Sequence, residues 1–152
     1  MMFKTHLVFG LLVGLFMIEY FNISEKVLFV SICVFSAVLA DLDHPFSKLG
    51  NKVKPLSWLL NLLFGHRGFM HTVWFPFFIY FLFMVFDKTL WAGAFFLGYM
   101  SHLIMDMLST RGVYFFFPLN RTRINGFIKV GGFLEWVVFI AILVGIGFLL
   151  FL

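Results

Sequence analysis

"TVWFPFFIYFLFMVFDKTLWAGAFFLGYMSHLIMD", residues 72–106, contains two apolar runs separated only by the charged pair Asp87 and Lys88. Each run approaches the roughly 20 residues that a helix needs to cross a hydrocarbon core. So short a break sends the chain straight back, and the two runs read as an antiparallel helical hairpin. The second run ends on His102 and Asp106, four residues apart and therefore on one helical face.

The remainder of the 152-residue chain is of the same character: 62% hydrophobic, 12% charged, with mean hydropathy +1.05. Those values lie well outside the range of soluble domains. Apolar segments occupy 5–21, 26–41, 69–86, 89–107 and 133–152, the second being the shortest. The strict polar/apolar alternation of a membrane β-barrel is absent, which leaves helices. The expected fold is an all-α integral membrane bundle of about five transmembrane helices, a single domain over 1–152. "PLSWLLNLLF", 55–64, is too short to span and reads as an interfacial helix with Trp58 at headgroup level. "VYFFFPL", 113–119, is likewise too short and reads as an aromatic interface belt. The lone Cys33 sits mid-span, excludes an intramolecular disulfide and reads as a small buried apolar residue. Lys4 followed by an apolar stretch resembles a signal peptide, but "EYFNISE" offers no small-residue cleavage pattern, so the first span is expected to be retained.

The net charge is +4, and nine of the eleven basic residues fall on one side of this topology: Lys4, Lys48, Lys52, Lys54, Arg67, Arg111, Arg121, Arg123 and Lys129. Only Lys26 and Lys88 lie opposite. The positive-inside rule then predicts a multi-pass protein of the cytoplasmic (inner) membrane, with the N-terminus and both long loops cytoplasmic and the C-terminus outside. Basic residues spread over loops point to anionic lipid headgroups of the bilayer, and no nucleic-acid partner is expected. Five short helices make a thin bundle, compatible with a homodimer, though no motif specifies one.

Helix direction gives each ionisable residue a depth. His6 opens the first span, Asp41, Asp43 and His44 close the second, and His66 and His71 flank the start of the third. His102 and Asp106 close the fourth and Glu135 opens the fifth, so all of these lie at the cytoplasmic end. Glu19, Glu25 and Asp87 lie at the outer end with no histidine near them. Asp41 and His44 share a face if the helix runs that far, which turns Asp43 elsewhere as a partner of a ligand or a cap. Gly68 lets "HRG" form a turn, placing His71 on the third helix proper with His66 folded back beside it. Singly, each has an ordinary interfacial role, and Ser101 is best read as a small packing residue. Together, so many imidazoles and carboxylates partly inside the apolar boundary are hard to stabilise without cations. The metal ligands expected are therefore His6, Asp41, His44, His66, His71, His102, Asp106 and Glu135. Imidazole with carboxylate suits a divalent transition metal, zinc first, with manganese or iron as alternatives, and the ligand number allows two or three ions.

"THLVFG" (5–10), "LADLDHP" (39–45), "HRGFMHT" (66–72) and "GYMSHLIMDMLSTRGV" (98–113) resemble the successive motifs of the YdjM-like inner-membrane, metal-dependent hydrolases. The match runs in order from His6 to Val113, with Glu135 following. The resemblance implies a small multi-span hydrolase with a metal site. It also implies a distant similarity to the zinc-dependent phospholipase C and P1 nuclease group, whose helical bundle holds three zinc ions. The second "HxxxE" pair of that group is missing, since Gly131 stands four residues before Glu135.

A metal site with an open position supplies hydroxide near neutral pH and clamps phosphoester oxygens. Phosphoester hydrolysis of a lipid-anchored substrate at the cytoplasmic face is the reaction expected. Arg67 and Arg111 adjoin the metal motifs and are candidate phosphate ligands, and Asp43 is a candidate to orient a histidine or accept a proton. Arg121 and Arg123 are assigned to topology and headgroup contact. The competing class is a non-catalytic metal-binding membrane protein, a transporter or sensor, although transporters favour midplane sites and internal repeats. A scaffold for a cytoplasmic partner would need only the basic loops. There is no "HExxH", "GxSxG" or "GxxxxGK[ST]" signature.

Overall fold

The structure, a computed structural model, describes residues 1–64 and 68–151. Six α-helices carry the described residues: α1 Phe3–Tyr20, α2 Lys26–Leu39, α3 Lys54–Phe64, α4 Trp74–Val85, α5 Thr89–Leu108 and α6 Phe133–Leu150. Short 3-10 turns follow α2 at Ala40–Asp43 and precede α4 at Phe69–His71. No strand occurs among the described residues, in line with the all-α expectation, and α3 falls on the segment read as an in-plane helix. Two isolated bridges, Ser109 with Ile128 and Val113 with Ile124, fold the loop between α5 and α6 back on itself.

The centre of the bundle is α5, which packs against α1, α2 and α4; α2 also packs on α1, and α6 rests on α1. Small residues permit these approaches. A methyl group at Gly10 of α1 would run into the Ala37 side chain, and one at Gly98 of α5 would strike the Cys33 carbonyl and the Ser36 hydroxyl. Close backbone packing of this kind replaces the hydrophobic drive that helices lack among lipid tails. Cys33 is fully buried with its thiol 3.1 Å from the Ala94 carbonyl, as expected of a packing residue.

Prolines decide two boundaries that hydrophobic pattern alone misplaces. Pro76 is the third residue of α4, where a missing N–H is tolerated, but extending the helix backward would press its ring against the Thr72 carbonyl. The α-helix therefore begins at Trp74 rather than at residue 69, and His71 closes a 3-10 turn instead of sitting on the helix proper. Pro45 disfavours helical backbone at His44, which adopts φ −107° and ψ 105°. The shared helical face expected for Asp41 and His44 is accordingly not formed.

Beside an apolar core that includes Phe29, Cys33, Phe95, Tyr99 and Leu103, the interior holds a polar cluster, while large apolar side chains cover much of the outside. Thr5, His6, Asp43, His71, His102, Asp106 and Glu135 are buried, whereas Phe77, Phe78 and Phe81 of α4 and Ile140, Val144 and Phe148 of α6 face outward. Polar groups inside and aromatic rings outside suit a hydrocarbon solvent. By length and composition α1 and α6 can cross a membrane, and α4 is a shorter apolar helix of 12 residues.

Candidate metal centre

The polar core lies where the start of α1, the end of α2, the turn before α4 and the last turns of α5 meet. His6 and His102 stack with ring centroids 3.8 Å apart and planes inclined by 18°. His71 stands edge-on to His102, centroids 5.4 Å apart. Asp106 reaches among all three: its Oδ1 is 3.3 Å from His6 Nε2, and its Oδ2 is 3.8 Å from His102 Nε2 and 4.0 Å from His71 Nε2. The Met1 amino group also lies against Asp106 Oδ1.

Hydrogen bonds on the far sides of two rings determine which nitrogens face this cluster. His102 Nδ1 lies 2.8 Å from the Ala37 carbonyl, which can only accept, so Nδ1 carries the proton and Nε2 presents a lone pair. His71 Nδ1 lies 3.2 Å from Asp43 Oδ2, which likewise turns Nε2 toward Asp106. An imidazole backed by a carbonyl or carboxylate and aimed inward through its other nitrogen is the arrangement that orients metal-binding histidines. His6 Nδ1, His6 Nε2 and His102 Nε2 have no hydrogen-bond partner among the described residues, although they are buried. Unpartnered ring nitrogens are costly in an apolar interior, and a cation would satisfy the acceptor nitrogen of each ring.

Two sets of side chains can place one ligand atom each within 4.8 Å of one another: His6, Asp41 and His102, and His71, His102 and Asp106. Ligands about 2.0–2.1 Å from a zinc ion lie ~3.3 Å apart at tetrahedral angles. In the second set Asp106 Oδ2 lies 3.8 and 4.0 Å from the two Nε2 atoms, and in both sets the ligand atoms lie within 4.8 Å, so a bound ion would draw them closer together. The donor set thus fits a divalent cation. Because His102 has only Nε2 to offer, the two sets share a ligand and overlap.

Of the residues expected from sequence to bind metal, His6, Asp41, His71, His102 and Asp106 are brought together. Glu135 is not in either set. Its Oε1 accepts from the Met2 backbone N–H at 2.5 Å and the Thr5 hydroxyl at 3.2 Å, and its Oε2 from the Gly131 N–H at 2.6 Å. This buried carboxylate ties the start of α1 to the start of α6, a role that Gly131, in the left-handed region at φ 74°, makes possible. His44 also stays outside both sets, its ring edge-on to Phe46 at 6.0 Å. His66 and Arg67 lie outside the described residues. Asp43 takes the orienting position on His71 described above.

Residues that pattern did not single out complete the surroundings. Tyr99, fully buried on α5, donates its hydroxyl to the Met70 carbonyl at 2.6 Å and so steadies the turn that carries His71. Asn61 of α3 donates to the Asp43 carbonyl at 2.9 Å, tying α3 to the site. The cluster opens into a cavity of about 300 Å³ whose wall includes Asp41, His44, Asp106, Lys4, Lys48 and Arg111. Arg111 is exposed at this mouth, whereas Arg121 and Arg123 do not line it.

Fold and site together define a small helical membrane protein built around a buried histidine–aspartate centre. The sequence profile of the YdjM inner membrane protein family matches residues 1–151, and the chain belongs to that family. It is 32% identical over 138 residues to the protein named "Uncharacterized protein YvsG" of Bacillus subtilis, an alignment covering 89% of this chain and 85% of that one. It is 34% identical over 91 residues to inner membrane protein YdjM of Escherichia coli, covering 56% of this chain and 46% of the relative, and the Shigella flexneri protein of the same name gives the same values. None of these three bears the name of a zinc phospholipase or nuclease. No solved structure matches the chain.

Proposed function

We propose that this protein is a membrane-embedded, metal-dependent hydrolase that cleaves a phosphoester of a lipid-anchored substrate at the cytoplasmic face. One observation carries the reading: His102 and His71, each held through Nδ1, aim Nε2 at Asp106 beside a cavity edged by Lys4, Lys48 and Arg111. His102 together with His71 and Asp106, or with His6 and Asp41, would hold the ion, zinc first by donor type, with manganese or iron compatible. A divalent ion in such a site supplies Lewis acidity and lowers the pKa of water toward neutrality.

The protein side chains have separable tasks. Asp43 holds the His71 ring, and the Ala37 carbonyl holds the His102 ring. Arg111 receives a phosphate oxygen at the mouth, where a planar guanidinium can donate two parallel hydrogen bonds. The first turn of α1 brings His6 to the centre and Lys4 to the rim.

The membrane arrangement in this reading has about five crossing helices, α1, α2, α4, α5 and α6, with α3 in the plane of the inner leaflet. It is supported by the outward-facing aromatic residues of α4 and by the placement of the basic loops. The 14-residue α2 and 12-residue α4 are about 21 and 18 Å long, so flanking turns and a locally thinner bilayer must make up the span.

The test is hydrolysis of a panel of phospholipids and isoprenoid phosphates by purified protein, first stripped of metal and then reloaded. Activity that vanishes on stripping and returns on reloading is the expected result. Equal activity in both states overturns the mechanism, and stoichiometric metal without hydrolysis of any panel member would turn the reading to a non-catalytic sensor or transporter.

A further inference from the structure

We propose that the cavity beside the metal centre selects a terminal phosphate carried on a lipid, a doubly charged phosphomonoester head, and that Lys4, Lys48 and Arg111 form its anion seat. The inference rests on the phosphoesterase reading and names its substrate class.

Three separate stretches of chain deliver one cation each to the same mouth: Lys4 from the first turn of α1, Lys48 from the loop after the Ala40–Asp43 turn, and Arg111 from the residues following α5. Lys48 Nζ stands 5.8 Å from the centroid of the Phe3 ring, which keeps it along the wall formed by Met1, Met2 and Phe3. The acids on the wall are Asp41 and Asp106, and both belong to the metal-capable sets. The Met1 amino group pairs with Asp106, and a divalent ion in either set would offset the acidic charge further, leaving Lys4, Lys48 and Arg111 as the side-chain cations on the wall. Such a mouth gains little net attraction from choline and ethanolamine heads, whose own cation cancels the single charge of their phosphodiester.

The neutral groups on the wall discriminate further. Ser47 is the one uncharged hydroxyl there, and it is already engaged: its Oγ donates to the Asp41 carbonyl at 2.7 Å and accepts from the Gly50 N–H at 2.8 Å. A glycerol, inositol or sugar head would therefore find the one side-chain hydroxyl on the wall already engaged. A terminal phosphate has three acceptor oxygens and close to two negative charges near neutral pH, whereas a diester has two such oxygens and one charge. Recognition by charge and by charge-assisted hydrogen bonds favours the former. Met1, Met2 and Phe3 supply the apolar lip along which the lipid part leaves the cavity.

Non-hydrolysable probes separate binding from turnover. Zinc-loaded full-length protein in lipid nanodiscs is titrated with hexadecylphosphonate and with its monomethyl ester, at mildly alkaline pH where the first is doubly and the second singly charged. The expected result is about tenfold tighter binding of the dianion, roughly the effect of one added charge near partly solvated cations. Lys48→Ala and Arg111→Ala should each erode that preference at unchanged zinc content, while Lys129→Ala, away from the cavity, should not. Equal binding of the two probes, or a preference untouched in both variants, overturns the seat. Inorganic phosphate binding as tightly as hexadecylphosphonate overturns the lipid-borne source. If hydrolysis is found with no dianion preference, the seat alone fails; if the preference is found without hydrolysis of any lipid phosphate, the phosphoesterase reading fails.

Discussion

His102 on α5 donates its Nδ1–H to the Ala37 carbonyl of α2 across 2.8 Å, in the interior where both residues are fully buried. The contact couples helix packing to site chemistry. It assigns the tautomer that presents Nε2 to Asp106, and it depends on the close α2–α5 approach that Gly98 permits.

Removing the shared ligand should empty the centre. His102→Ala combined with Asp106→Ala takes away members of both metal-capable sets. Elemental analysis of detergent-purified protein should find about one or more equivalents of transition metal in the wild type and a clear loss in the double variant. Retention of the same content would show that the metal sits elsewhere.

Asp43→Asn tests orientation without removing a ligand. The carboxylate backs His71 through Nδ1 at 3.2 Å and is fully buried. Loss of such a partner commonly weakens metal affinity about 10–100-fold. Competition with a fluorescent chelator should detect that shift, and an unchanged affinity would remove Asp43 from the site.

Two glycines of α5 should respond differently to alanine. At Gly98 an added methyl meets the Cys33 carbonyl and Ser36 hydroxyl, while at Gly93 nothing lies within 4 Å. Overpacking of a close helix contact costs about 1–3 kcal/mol. Gly98→Ala should lower the unfolding midpoint in detergent and weaken metal retention, because it pushes α5 away from Ala37. Gly93→Ala should leave both within error, and the same loss at both positions would contradict the packing described.

Topology is open to labelling from the two sides of the membrane. In a Cys33→Ala background, cysteines replacing Lys54 and Arg121 should react only with reagent reaching the cytoplasmic side, and one replacing Asp87 only with reagent from outside. Labelling of all three from the same side would leave α4 and α5 as a hairpin that does not cross.

The sequence by itself pointed to a helical chain, to a turn at Asp87 and Lys88 within 72–106, and to a gathering of His6, Asp41, His44, His66, His71, His102, Asp106 and Glu135 at one end of the helices, of which His6, Asp41, His71, His102 and Asp106 fall in the metal-capable sets. Those conclusions follow from composition and from the fixed rise of a helix, which are local properties. Tertiary structure alone decided that Glu135 ties α1 to α6 rather than joining either metal-capable set, that Asp43 backs His71, and that Ala37 holds His102. A backbone carbonyl is the same at every residue and leaves no mark in sequence, so its role appears only when another helix comes to lie beside it. The turn carrying His71 is intermediate: Pro76 limits α4 in a way that the hydrophobic pattern over 69–86 ran past, and the Tyr99 hydroxyl, paired with the Met70 carbonyl 29 residues away, steadies the turn.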